Sequence, residues 1–525
     1  MSDSEPSASR QIARASGVVM VGYALSSLTG LISQVLVARA FGSTHEYDSF
    51  LAGNRLTELL FNLMAGGALA SAFVPTFTGF LAKKQRSRAW LLASSIGNLI
   101  LIALGSISAL AAWTAPWLVQ RILAPGFTDP AQISLTVELL RIMLLSPAIF
   151  GISGLLMGVL NGNQRFFLPA LAPGFYRIGI IIGVVFLSPR FGIHGLAWGV
   201  VLGASLHLIV QLPGLRNLGG RYTPQLGLKD AVVRQVGILM APRLLGVAVV
   251  QINFLVNTIL ASAMPVGSIS AISYALALML MPQLVIAQAI AVASLPTFSA
   301  QVARKQWQEL RTTFITTLRG VLFLALPASL GLIVLRRPIV ALLFERGVFD
   351  QQSTNLVAWA LLWYAAGLVG HALLEVIVRA FYAMYDTRTP VYVGVGAMTL
   401  NVLFSLSFSR WFLNIGWAPH GGLALANSLA TALEAGLLLY LMRKRLGGLW
   451  GGRLRAGLVR MSISGAAMAL VLVLWLRLQA SMPVIIHALG GILLGVLIYW
   501  ITSWLLRVEE SRRLPTMILR RRDKR

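Results

Sequence analysis

The sequence predicts an all-α polytopic membrane protein with about 14 transmembrane helices, two parallel six-helix repeats forming two lobes and two further helices at the C-terminus. Three observations predict it. Hydrophobic residues make up 57% of the 525 positions and charged residues 11%, with mean hydropathy +0.78. No soluble domain of this length has that balance, so lipid is the solvent for most of the chain. About fourteen stretches reach the roughly 20 apolar residues that span a bilayer, and unmet backbone groups in hydrocarbon restrict such spans to helices or closed barrels. The stretch lengths are helical.

The third observation is a repeat. Val74-Pro75-Thr76-Phe77, running on to Ala82-Lys83-Lys84-Gln85, returns as Leu295-Pro296-Thr297-Phe298, running on to Ala303-Arg304-Lys305-Gln306. The two prolines are 221 positions apart, and the same offset carries Pro169 onto Pro390. His194-Gly195-Leu196-Ala197 returns as His420-Gly421-Gly422-Leu423-Ala424. Three landmarks in one order indicate two structural copies. Paired halves of this kind are a transporter signature, with the substrate site expected between them.

Residues 1–16 form a polar cytoplasmic segment, and no cleavable signal precedes the first span. The first lobe is 17–221, with spans near 17–40, 49–81, 90–115, 135–160, 171–188 and 195–215. The second is 222–445, with spans near 236–262, 268–295, 313–335, 354–383, 390–409 and 418–442. An even number of spans per copy makes the repeat parallel rather than inverted. The segment 335–352, beginning Arg336-Arg337-Pro338, is amphipathic and reads as an interfacial helix on the outer side. Spans at 457–477 and 482–506, within 446–507, are nearly free of polar residues and carry Trp475, Trp500 and Trp504 near their ends. They serve either as stabilising ballast or as a groove for a hydrocarbon tail. Residues 508–525 are a basic tail suited to anionic headgroups.

The formal net charge is +26. Alternating the loops puts most Lys and Arg on the side of the N-terminus, in clusters such as Lys83-Lys84-Gln85-Arg86, Arg443-Lys444-Arg445 and Arg520-Arg521-Arg522. That positive-inside pattern places both termini in the cytoplasm. No nucleic-acid partner is expected, because no reading module accompanies the charge. Cys is absent, which excludes disulfides, thiolate catalysis and Cys-based metal sites. No phosphate-binding Gly-rich loop, HExxH or GxSxG is present, so neither an enzyme nor a cofactor is expected.

Ionisable residues inside spans are costly and nominate a pathway. Span 2 carries Asn54, Arg55, Glu58 and Asn62, with Arg55 and Glu58 three apart on one helical face. Span 10 carries His371, Glu375 and Arg379 at four-residue spacing, either a local brace or a titratable relay. Span 7 offers Arg243, Gln251, Asn253 and Asn257, and span 11 offers Asn401. Arg141 and Arg177 in spans 4 and 5 are long enough to snorkel. Candidate substrate-binding residues are therefore Arg55, Glu58, Asn54, Asn62, Arg177 and Arg243. Candidate ion-coupling residues are Asn257, Asn401, Glu375 and His371.

Several phrases resemble the MurJ/MviN lipid II flippases. They are Ala38-Arg39-Ala40-Phe41-Gly42 with Asp48, Ala72-Phe73-Val74-Pro75, and Gly158-Val159-Leu160-Asn161 before Arg165-Phe166. Pro242 with Gly246, Leu343-Phe344-Glu345-Arg346-Gly347, and Arg379-Ala380-Phe381-Tyr382 with Asp386-Thr387-Arg388-Thr389-Pro390 complete the set. The resemblance implies a fold of the multidrug/oligosaccharidyl-lipid/polysaccharide exporter type, two lobes around a central cavity, in a bacterial inner membrane. It implies movement of an undecaprenyl-diphosphate-linked sugar-peptide between leaflets, with arginines of spans 1, 2 and 8 meeting the diphosphate. It also implies a lipid-tail groove for the last two helices.

The chain departs from that pattern where charge matters. Family cation positions in spans 1, 2 and 8 are held here by Ser27, Ser33, Phe61 and Ala277. A diphosphate without cationic partners is costly to bury. Three readings follow: a lipid-carrier flippase using other cations, Arg55 foremost and Arg177 or Arg243 assisting; an exporter of a less charged substrate; or a non-transporting scaffold beside cell-wall synthesis proteins.

Overall fold

The computed structural model describes residues 8–65, 68–448, 452–478 and 482–512. Gly66, Gly67, the Arg520–Arg522 cluster and the side chain of Arg243 lie outside the described residues. Among those described there is no strand.

The chain divides into two compact units. The first runs to Gly267 and is completed by Arg346–Val348. Its helices are α1 (Ala8–Phe41), α2 (His45–Ala65), α3 (Ala68–Ala82), α4 (Arg86–Trp113), α5 (Pro130–Met143), α6 (Ser146–Gly162), α7 (Phe167–Ile182), α8 (Ile193–Ile209) and α9 (Ala231–Ser262). Asp129 and Asp230 start α5 and α9 by accepting the backbone N–H of Ala131 and Val232 at 3.0 and 2.8 Å, the satisfaction of orphan donors that a helix start requires. Although the repeat aligns α9 with the opening of the second copy, it packs here against α2 and α3.

The second unit holds α10 (Ser268–Pro282), α11 (Ala289–Ala303), α12 (Trp307–Val334), the short α13 (Arg336–Phe344), α14 (Gln351–Ala383), α15 (Arg388–Asn414), α16 (His420–Arg445), α17 (Gly452–Leu478) and α18 (Gly491–Leu505). Asp350 caps α14 through the N–H of Ser353 at 2.8 Å. Within this unit α16 packs along both α14 and α15, and α17 and α18 pack on α12.

The repeat has a physical basis in the packing of each unit. Phe77 and Phe298, the last letters of the doubled phrase, are both fully buried. Phe77 meets Trp90 edge-on and Phe298 meets Phe314 likewise, each anchoring the core of its own unit. The backbone repeats as well. Lys84 and Lys305 both adopt left-handed φ, at 58° and 57°, and Gln164 and Tyr385 both lie at 59°. Each pair is separated by the same offset of 221. Each residue follows a helix end, where a left-handed residue closes the last carbonyls.

Eleven helices among the described residues are long and apolar enough to cross a membrane, or twelve if Ala231–Ala241 and Gly246–Ser262 form one bent span. The sequence expectation of about fourteen is therefore not reached by this measure. The stretches 17–40 and 49–81 are the two that fall short of it among the described residues. Of the stretch 49–81, the described residues lie in α2, which runs to Ala65, and α3, which begins at Ala68, on either side of Gly66 and Gly67. Its first half is made polar by Asn54, Arg55, Glu58 and Asn62, and only the short Ala72–Ala82 remains apolar. From span 1 the apolar stretch among the described residues is Leu25–Phe41, within the longer α1.

Two glycine features shape the first unit. α7 and α8 cross so closely that a methyl on Gly179 would sit 2.2 Å from the Cα of Gly203, the small-residue contact typical of membrane helix pairs. Gly347, at φ 65°, brings its neighbour Val348 to the end of α1, where the Val348 N–H donates to the Arg39 carbonyl at 2.9 Å. A Cβ on Gly347 would lie 2.4 Å from that carbonyl oxygen, so only glycine fits.

Candidate functional site

In the first unit α2 presents Asn54, Arg55 and Glu58 on one side, as the i, i+3 and i, i+4 spacings dictate. Arg55 Nη1 donates to Glu58 Oε2 at 2.9 Å, and Asn54 Nδ2 donates to Glu58 Oε1 at 3.0 Å. Both carboxylate oxygens are thus held from within one helix. Arg55 also reaches α9, donating from Nε to Thr258 Oγ1 at 3.1 Å and lying 5.7 Å from the Phe254 ring centre. The pair is open to its surroundings: the Arg55 side chain is 20% exposed and that of Glu58 43%. Asn54 is buried, and its Oδ1 has no hydrogen-bond partner among the described residues.

Arg177 approaches from α7. It is exposed, lies 5.6 Å from the ring centre of Tyr176, and its Nε comes within 3.8 Å of where a methyl on Gly30 would sit. Gly30 stands midway between Ser27 and Ser33, so Arg177 brings a cation to the stretch of α1 where those two serines are neutral. Ser27 is exposed, whereas Ser33 is buried. Phe61 contacts Phe150 at 4.3 Å between ring centres, and Phe150 contacts Tyr176 at 5.2 Å. Phe61, Phe150 and Tyr176 thus form a run of ring contacts that ends beside Arg177. Asn62 is half-buried and Asn257 is buried one residue before Thr258.

The span 10 stripe lies in the second unit and is internally braced. Arg379 Nη1 donates to the Glu375 carboxylate and to the Glu375 carbonyl, the latter at 2.8 Å. Gln283 Nε2 approaches the other carboxylate oxygen at 3.5 Å. His371 Nε2 meets Asn427 Oδ1 at 3.1 Å. Asn401 is buried and accepts from Ser405 Oγ at 3.3 Å. Ala277 on α10 is half-buried. Among the described residues no group of three His, Asp or Glu converges closely enough to hold a metal ion.

Arg319 and Glu434 are among the embedded ionisable groups that sequence reasoning missed. Arg319 on α12 is buried against Glu509 and Glu510, at 3.5 and 2.7 Å. Glu434 on α16 faces α15. Both lie inside predicted spans, so the cost of an embedded charge was the available signal; neither has a helical neighbour to draw attention to it. A further group, Ser153, His207 and Gln211, forms a buried network with Ser153 Oγ 2.6 Å from His207 Nδ1.

The family model described as lipid II flippase MurJ matches residues 37–492. The lipid II flippase MurJ of Burkholderia cenocepacia is 32% identical over 429 residues, covering 80% of this chain and 82% of that protein. A solved structure of lipid II flippase MurJ in an inward closed conformation is 25% identical, with a TM-score of 0.78, covering 93% of this chain and 98% of that one. An inward-facing multidrug resistance transporter of the MOP superfamily shares the fold at 16% identity and TM-score 0.67, covering 81% of this chain and 95% of that one.

Proposed function

The chain belongs to the lipid II flippase MurJ family, and from that premise we propose that it moves a lipid-linked peptidoglycan precursor from the inner to the outer leaflet by alternating access. The observation that carries the reading is the family match over most of a multi-pass membrane chain. The process is transport, with no covalent step. The proposed setting is a bacterial inner membrane with both termini in the cytoplasm, as the distribution of Lys and Arg indicates.

The precursor's diphosphate needs cations, and Ser27, Ser33, Phe61 and Ala277 supply none. In our reading Arg55 and Arg177 take that part. Arg55 is held at rest by Glu58 and Thr258, so an incoming phosphate would exchange with the Glu58 carboxylate for a charge-assisted bond of similar strength. Arg177 is exposed and already beside α1. A second reading, a less charged substrate, is favoured by the aromatic contact of Phe61 with Phe150 at a family cation position. The deciding experiment is an outer-leaflet accessibility assay for the lipid-linked precursor in cells that depend on this chain. Precursor should appear outside. Its absence, with the protein inserted and abundant, would remove the flippase reading and leave the altered-substrate or scaffold alternative.

A further inference from the structure

Four carboxylates of the described residues lie within the stretches whose sequence reads as spanning: Glu58, Glu138, Glu375 and Glu434. The first three are answered by Arg55, His194 and Arg379 respectively. Glu434 is answered by nothing: no hydrogen bond or ion pair reaches it among the described residues, and it is not exposed.

Its place in the fold is deep. Counting along α16 from Arg445, Glu434 lies about 16 Å from the cytoplasmic end at the usual helical rise, roughly half the thickness of a hydrocarbon core. Its Oε1 comes within 3.2 Å of where a methyl on Gly394 of α15 would sit, so the missing side chain of Gly394 makes room for the carboxyl group. The charged and titratable groups on the helices packed around α16 are engaged elsewhere or lie at helix ends. On α14, Arg379 holds Glu375 and His371 meets Asn427. On α15, Arg388 and Arg410 lie toward the two ends and Tyr392 is exposed. On α10, Tyr274 is buried among Phe344 and Phe349. On α16 itself, His420 meets the Leu356 carbonyl, Arg445 takes Asp386, and Arg443 and Lys444 lie in the last turn.

An ionised carboxylate at that depth with no cation is strongly disfavoured, and such a group either takes a proton or holds an ion. We propose that Glu434 is a proton-binding site of the second unit: it is a neutral carboxyl when seated over Gly394, and gives its proton to water when α15 and α16 part. The ligand is the proton itself, and the step is simple ionisation of the carboxyl group. Coupling of that proton to lipid movement rests on the flippase reading; occupancy of the site does not.

The test separates the two. Infrared difference spectra of the full chain in lipid nanodiscs, titrated in sodium-free buffer, should show a protonated carboxyl band that disappears in E434Q and titrates at a different pH in E434D. In proteoliposomes, E434Q should retain lipid movement and lose its pH dependence. A wild-type band indistinguishable from that of E434Q would overturn the proposal, as would a carboxylate that stays ionised and responds to sodium. If the band behaves as expected but no lipid is moved by wild type, the proton site stands and the flippase reading fails. E434D keeps the test informative if E434Q does not insert.

Discussion

Arg319 of α12 sits between two carboxylates that the chain supplies only near its end: its Nε lies 2.7 Å from Glu510 and its Nη1 3.5 Å from Glu509. The guanidinium is almost fully buried, and it also packs against Gly457 at the start of α17. One cation therefore ties α12, α17 and the segment after α18 together, beside the cluster formed by Phe323, Met461, Tyr499 and Val508. Removing both acids in E509A/E510A should cost about 3–5 kcal/mol, the penalty for a buried charge left alone. Adding R319L should restore most of it. Thermal unfolding of the three proteins in one detergent checks the order; equal melting of wild type and the double variant would show that the contact contributes nothing.

Arg55 is the cation on which the proposed function leans most. R55A should leave the protein inserted and weaken engagement of a diphosphate-bearing lipid by about 10- to 100-fold, the size of a lost hydrogen bond to a charged group. R55K should recover only part, since the ammonium cannot serve Thr258 and Glu58 in the planar arrangement seen. Complementation of a flippase-depleted strain measures this, and full growth with R55A would remove Arg55 from the mechanism.

Asp386 should give the second unit an acid limit. Burial alone would raise its carboxyl pKa, but hydrogen bonds from Thr389 and Arg445 outweigh it and hold the pKa down at about 2, against an ordinary 3.8. The folded value is the lower one, so the stabilisation is complete above about pH 4 and is lost as pH falls toward 2. D386N should melt lower than wild type at neutral pH, and the difference should shrink across that window. A constant difference through it would show that the carboxylate's charge is irrelevant.

Topology is checked by two reporters. One placed after Arg525 should read as cytoplasmic, and one within Gln351–Ser353, at the start of α14, as external. Both on one side would refute the loop assignment.

Much of the fold is legible in the sequence because it depends on local pattern. The doubled Pro-Thr-Phe phrase marks equivalent core anchors, and the i, i+3 and i, i+4 spacings of Arg55–Glu58 and Glu375–Arg379 foretell real contacts. Arg319 and its acids are 190 or more positions apart, and no periodicity links them. Arg177 is visible as an embedded cation, but its approach to Gly30 depends on how α7 packs on α1. Docking of the segment after α8 on α4, with Asn98 holding the Thr223 and Gln225 carbonyls at 3.3 and 2.8 Å, is another long-range outcome. Contact between distant segments is what local reading leaves open.

The Gly347–Val348 contact with Arg39 has a consequence for biosynthesis. Residues 346–348 belong to the first unit, yet they leave the ribosome some eighty residues after Gly267. At about 5–20 residues per second that is a wait of roughly 4–16 s. The end of α1 must pass that interval with its Arg39 carbonyl unserved by Val348. That one backbone contact of the first unit therefore forms only after the chain that follows Gly267 has been made.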